Sequence, residues 1–189
     1  MRRASISELS DQSSMDEHTG AVRSVQSAEL CLPAQALAQI WSPMYLERLA
    51  RTYWRFLSRV MLGLVRVRYT ERERFLVGVG RVKLITFKAP EYELEADHGV
   101  VRWRIERGLL VARNGRGVGG HLQIDVRRLS STSVRVELEV ANFHPAIASG
   151  VGRWVYEQTQ SRIHTLVTHA FLRSLTRTDL AKSRVGRFS

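Results

Sequence analysis

The sequence predicts an α+β domain, a curved antiparallel sheet of six or seven strands gripping a long C-terminal helix, with two helices before the strands. Three observations lead there. Apolar residues recur at steps of three and four from Leu46 to Leu64, the period changes to two from Leu64 to about Ala141, and a helical face returns after Pro145. The chain has 189 residues, 44 % hydrophobic and 25 % charged, enough for one core.

Residues 1–30 are rich in Ser and acids, with little periodic apolar content, and read as a disordered tail. Arg2-Arg3-Ala4-Ser5 matches a basophilic kinase pattern, which is too short to carry weight. Pro33 to Trp41 reads as a short helix. Ser42-Pro43 then starts a stronger one, because Ser caps free amides and Pro suits the first helical position. Leu46, Leu49, Tyr53, Leu57, Val60 and Leu64 give this helix, 43 to about 61, one apolar face.

Strands follow at 64–70, at 74–87 with a break near Gly78 or Gly80, and at 134–141. Between them, His98-Gly99 as a two-residue turn sets Ala96 against Val101, Leu94 against Trp103 and Tyr92 against Ile105. Asn114-Gly115 as the next turn sets Trp103 against Val126, Ile105 against Ile124 and Arg104 against Asp125. Parity slips near Arg107-Gly108 and Gly119-Gly120, which predicts bulges that bend the sheet. Small residues Ala112, Gly117 and Gly119 on the inner face leave space there. A helix from about Ser149 to Arg177 aligns Val155, Thr159, Ile163, Leu166 and Ala170. Residues 178–189 read as a flexible basic tail, so the domain spans 31–177.

Several chemistries are excluded or weakened. The lone Cys31 allows no internal disulfide and has no Cys or His cluster beside it for a metal. No apolar run is long enough to span a membrane and no secretory leader is legible, so a cytoplasmic location is expected. Gly115, Gly117 and Gly120 spell G-x-G-x-x-G, but a strand follows where the dinucleotide fingerprint needs a helix. Glu91, Glu93, Glu95 and Asp97 alternate on an outward strand face and read as a solvated ion-pair ladder. No nucleophile, base and orienting group fall into an evident set. No cofactor is expected.

Charge is the other signal. The net charge is +11, with 26 arginines and three lysines among 29 basic residues. Residues 1–30 carry −2 and 178–189 carry +2, so the excess belongs to the folded part. GC-rich codon usage favours Arg over Lys, and guanidinium recognition of phosphate or carboxylate does too. Arg48, Arg51, Arg55 and Arg59 share one helix face without an acid among them, and like charges at this spacing repel. An anionic partner, either nucleic acid or an acidic membrane surface, would relieve that.

Helices, then a six-stranded bent meander, then one long helix: this order resembles the helix-grip superfamily of Bet v 1-like, START and polyketide-cyclase proteins. The segment LCLPAQALAQIW resembles that family's opening, where a strand runs through Pro-Ala into a short helix carrying a tryptophan. The resemblance implies a cavity between sheet and C-terminal helix for a hydrophobic or amphipathic small molecule. Tyr92, Trp103, Ile105, Ala112 and Gly117 would line one wall, and Ile163, Leu166 and Ala170 the other. His144, Arg162, His169 and Arg173 would be polar anchors. A cyclase- or hydrolase-like enzyme on the same fold would draw on His144 or His169.

Overall fold

The computed structural model describes residues 5–40 and 43–146, together with Phe171, Leu172 and Leu175. Among the described residues nine strands form one antiparallel sheet, more than the six or seven expected. Strands β1 (Ser5–Met15) and β2 (Val22–Cys31) come first, then helices α1 (Ala34–Ile40) and α2 (Pro43–Val60). The remaining strands are β3 (Arg66–Tyr69), β4 (Glu73–Val77), β5 (Lys83–Lys88), β6 (Glu91–Leu94), β7 (His98–Arg107), β8 (His121–Arg128) and β9 (Ser133–Phe143). Their order across the sheet is β1-β2-β9-β8-β7-β5-β4-β3, and β6 also pairs with β7.

The disordered tail expected over residues 1–30 is corrected: β1 and β2 are paired from Ser5↔Cys31 to Met15↔Val22, and β2 continues onto β9. The pattern hides these strands because their buried face is partly polar. Gln26 is wholly buried, and its Nε2 donates to Asp11 Oδ1 at 2.9 Å and to Ser24 Oγ at 2.7 Å. Ser13 and Ser24 share a further hydrogen bond of 2.9 Å. A buried donor is tolerated when it finds acceptors inside the protein, as the Gln26 Nε2 does, so this face folds without the apolar alternation that marks a strand.

The long C-terminal helix gripped by the sheet is also corrected. Among the described residues the helix over the inner face is α2, which touches β7, β3 and β6. Leu46, Leu49, Ala50, Tyr53 and Trp54 turn its apolar side inward, all nearly inaccessible. Trp54 meets Trp103 edge-on with ring centroids 5.2 Å apart, and Phe87 at 5.4 Å. Edge-to-face geometry of this kind adds to the burial of large rings. Of the span 149–177, Phe171, Leu172 and Leu175 are described; they are helical and buried. Phe171 packs on α2, 5.5 Å from Tyr53 and 6.4 Å from Phe56.

Both hairpin registers differ from the sequence expectation by four residues. Tyr92 opposes Val101 and Leu94 opposes Gly99, because the chain turns over 95–97 rather than at His98-Gly99. Trp103 opposes Leu122 and Val101 opposes Ile124. An even shift leaves every side chain on its expected face. Asn114 and Gly115 lie in a short 3-10 turn inside a long 108–120 connection, tied down by the bridge Val111↔Pro145. Gly108 (φ +152°) could not be replaced there, since a Cβ would lie 2.2 Å from the Leu84 carbonyl oxygen.

Candidate functional site

Antiparallel connectivity gathers the α2–β3 (61–65), β4–β5 (78–82) and β7–β8 (108–120) connections at one end of the sheet, with the β1–β2 connection 16–21, which carries Asp16 and Glu17, at the β1 edge of the same end. Backbone bonds fix the adjacency of the first three: Arg66 pairs with Val77, Val77 with Lys83, and the Leu109 amide donates to the Lys83 carbonyl at 3.2 Å. Each of these three is glycine-rich, and together they read MLGLV, GVGRV and GLLVARNGRGVGG. Arg81, Arg113 and Arg116 are exposed, and these segments hold no acid. Exposed Arg59, Arg66 and Lys83 border them.

The same loops expose large apolar side chains. Leu62 is 87 % accessible, Val79 73 % and Leu109 62 %, with Leu64, Val82 and Val118 also open. Water gains nothing by contact with a leucine, and a cluster of such residues on a soluble surface marks a place where something else is met. Gly63, Gly80, Gly117 and Gly119 adopt positive φ, which lets the loops turn tightly and leaves the apolar tips outermost. Gly115 has a different reason for lacking a side chain, since a Cβ there would meet His144 Cβ at 2.3 Å. That contact, with the Ala112 amide donating to the His144 carbonyl at 2.8 Å, holds the longest loop in place.

The expected site residues are scattered. Trp103 and Ile105 lie in the core under α2, where Trp54 occupies the space beside Trp103. Tyr92 is on the same face at the opposite end, 41 % accessible, and desolvation together with the Glu47 carboxylate pushes its phenol up to about 12. Ala112 is half-buried, and Gly117 is exposed in the loop end. Ile163, Leu166, Ala170, Arg162, His169 and Arg173 lie outside the described residues. The His144 ring is half-buried beside Gly115.

The four arginines expected as one stripe on α2 differ in their surroundings. Arg51 turns toward the β3 side, where Glu47 Oε1 is 3.7 Å from its guanidinium and the Tyr69 ring 6.0 Å away. Arg48 is half-buried, while Arg55 and Arg59 are exposed. Arg74 reaches the same Tyr69 ring at 5.2 Å, and burial lowers its pKa. It donates to the carbonyls of Thr70 and Glu73, which makes it a cap for the β3–β4 hairpin.

His98 has a partner the sequence did not reveal: its Nε2 is 2.7 Å from Asp125 Oδ2 on the outer face of the sheet. Cross-strand pairing places Glu137 beside Asp125. Desolvation, then Asp125 and Glu139, hold the Glu137 carboxyl above its usual range. Among the described residues no cluster of His, Cys, Asp and Glu could hold a metal. An open concavity of about 930 Å³ lies at the far end of the sheet, lined by Glu71, Glu73, Glu91, Glu106, Arg72 and Lys88 among others. Glu73, Glu91 and Glu106 are tied there in ion pairs with Arg107, Arg104 and Lys88.

No family model and no curated protein matches the chain. Among solved structures it is similar to an uncharacterized protein from Bacillus thuringiensis at 18 % identity, over 79 % of this chain and 98 % of that one, with a TM-score of 0.39. Protein Ms6760 from Mycobacterium smegmatis is similar at 8 % identity, over 92 % and 97 % of the two chains, with a TM-score of 0.39. CalU16 from Micromonospora echinospora follows at 12 % identity, over 97 % and 81 %, with a TM-score of 0.36. Likenesses this slight transfer no property.

Proposed function

We propose that the chain docks on acidic membrane surfaces through the loop end of its sheet. The observation that carries this is the coincidence, in three acid-free loops, of exposed arginines with exposed Leu62, Leu64, Val79, Val82, Leu109 and Val118. Cations alone would suit nucleic acid equally well. Apolar tips between them favour a bilayer, whose headgroup layer takes up cations and whose acyl boundary takes up leucine and valine. Among the described residues no helix is long and apolar enough to cross a membrane, which fits attachment from one side.

Co-sedimentation with phosphatidylcholine vesicles, with and without phosphatidylserine, tests the reading. Binding is expected only to the acidic vesicles and should weaken as salt rises. Leu62→Ser, Val79→Ser and Leu109→Ser together should lower the affinity about tenfold or more, since each tip loses part of the roughly 1.5–3 kcal/mol that burying such a side chain brings. Equal binding to neutral vesicles, or no binding at low salt, would overturn it. Duplex DNA binding unaffected by the triple substitution would assign the surface to nucleic acid instead.

A further inference from the structure

Strand β6 has one neighbour. It pairs with β7 in unbroken register from Glu91↔Arg102 to Leu94↔Gly99, and among the described residues no strand lies on its other side. The Glu95 amide donates to the His98 carbonyl at 2.7 Å. Bonded and non-bonded pairs alternate along an antiparallel ladder, so Glu91 and Glu93 turn their backbone groups to β7, while Tyr92 and Leu94 turn theirs outward. Among the described residues no backbone group bonds to them there. Their side chains are open too, since residues 92–97 are all exposed, Tyr92 at 41 % and Leu94 at 37 %.

The neighbour that β6 lacks is a longer β4. Pairing of β4 with β5 ends at Glu73↔Lys88, and the hairpin turns back at 70–72, where the Ala89 amide donates to the Arg72 carbonyl at 2.7 Å. Because β5 and β6 both run antiparallel to β7, β6 prolongs the line of β5 past the end of β4. The open concavity of about 930 Å³ lies at that step, between the hairpin tip and Glu91.

We propose that this place takes an extended basic segment of another protein, added antiparallel to β6 as a further strand. Charge selects the occupant. Glu91 and Glu93 alternate with Tyr92 and Leu94 on opposite faces of the strand. Glu71, Glu93 and Asp97 are exposed, and none of them is in an ion pair among the described residues. The β6 of a second copy would set glutamate against glutamate, which is unfavourable, so the acids guard this edge against its own kind. A strand with Lys or Arg at alternate positions meets Glu93 on the outer face and Glu71 at the concavity, and its intervening apolar residues lie beside Tyr92 and Leu94. Main-chain hydrogen bonds hold such a strand, and alternate side chains select it.

Titration of the full chain with a short fluorescent peptide of alternating lysine and valine tests the proposal. Saturable binding is expected, and none with alternating glutamate and valine. The valines, opposite Tyr92 and Leu94, are the residues whose amides bond to β6. N-methylation of the valines should therefore weaken binding about tenfold or more, whereas N-methylation of the lysines, whose amides face solvent, should change it by less than about threefold. Glu71→Lys with Glu93→Lys should weaken the parent peptide about tenfold. Absence of saturable binding, equal binding of the two methylated peptides, or unchanged affinity for the folded double variant would overturn the proposal. The peptide comparison needs no variant, so it decides even if the double variant fails to fold. None of these readings involves lipid, so failure here and failure of membrane docking are told apart.

Discussion

At one end of the sheet the connections 61–65, 78–82 and 108–120 carry three arginines and no acid, and the acids of that end, Asp16 and Glu17, lie apart on the β1–β2 connection at the sheet's β1 edge. At the other end, the connections 70–72, 95–97 and 129–132 carry Glu71, Glu95 and Asp97 against Arg72. Strands common to both ends run between them, so the difference lies in residues that no packing requirement fixes. Loop composition is free to follow solvent or a partner, which is why it reports on function better than the core does. The apolar tips sharpen the contrast: Leu62, Val79 and Leu109 stand out at the basic end, while the acidic end shapes a concavity in which Glu73, Glu91 and Glu106 are held by ion pairs.

Three measurements break or sharpen this comparison. The largest effect is expected from reversing the basic end. Arg81→Glu, Arg113→Glu and Arg116→Glu together should weaken binding to acidic vesicles at least about a hundredfold, since each cation near such a surface contributes on the order of 1 kcal/mol. Retained binding would show that the loops are not the contact. A smaller effect is expected from the far end, roughly 30 Å away along the ten-residue β7 for Glu95 and Asp97 and roughly 17 Å along the five-residue β4 for Glu71. Glu71→Lys, Glu95→Lys and Asp97→Lys should change binding at physiological salt by less than about threefold, because the screening length there is about 8 Å. A larger gain would mean that net charge and not location governs docking.

The smallest effect belongs to the sheet between the ends. The native chain holds the Glu137 proton to higher pH than the unfolded chain does, because its carboxyl is raised above the usual value by desolvation and by Asp125 and Glu139. Stability therefore falls as pH rises from the ordinary carboxyl value through the raised one, and stays lowered above it. Glu137→Gln should raise Tm at pH 7 by at most about 2 °C and leave it unchanged below that window. Thermal melts at pH 7 and in acid check the sign, and vesicle binding should not move.

Much of the meander and α2 was legible because their buried faces are apolar at the right period. Register was not, since a shift of four residues preserves every face, and turn chemistry alone had to choose between Glu95–Asp97 and His98-Gly99. Strand β2 was illegible for a different reason: Ser24 and Gln26 stand where apolar residues would announce a strand. At the candidate site, the glycines of 108–120 carry the sequence signature of turn and bulge, and the leucines and valines beside them that of strands. The signal that could have found the site is the absence of Asp and Glu from three neighbouring loops. Glu47 was legible as a partner for Arg51 at four residues' spacing, and reading it would have reduced the stripe.

The edge-on pair Trp54 and Trp103 gives the protein a gauge of its own. Two indoles 5.2 Å apart in a rigid, dry setting exchange excitation and lend the near-ultraviolet spectrum a handed signal that depends on their mutual angle. One ring rides on the helical layer and the other on the sheet, so the signal reports whether the two layers stay in register. Attachment through the loop tips should leave it as it is. A guest wedged beneath α2 would have to part the rings, and the spectrum would record its arrival without any added label.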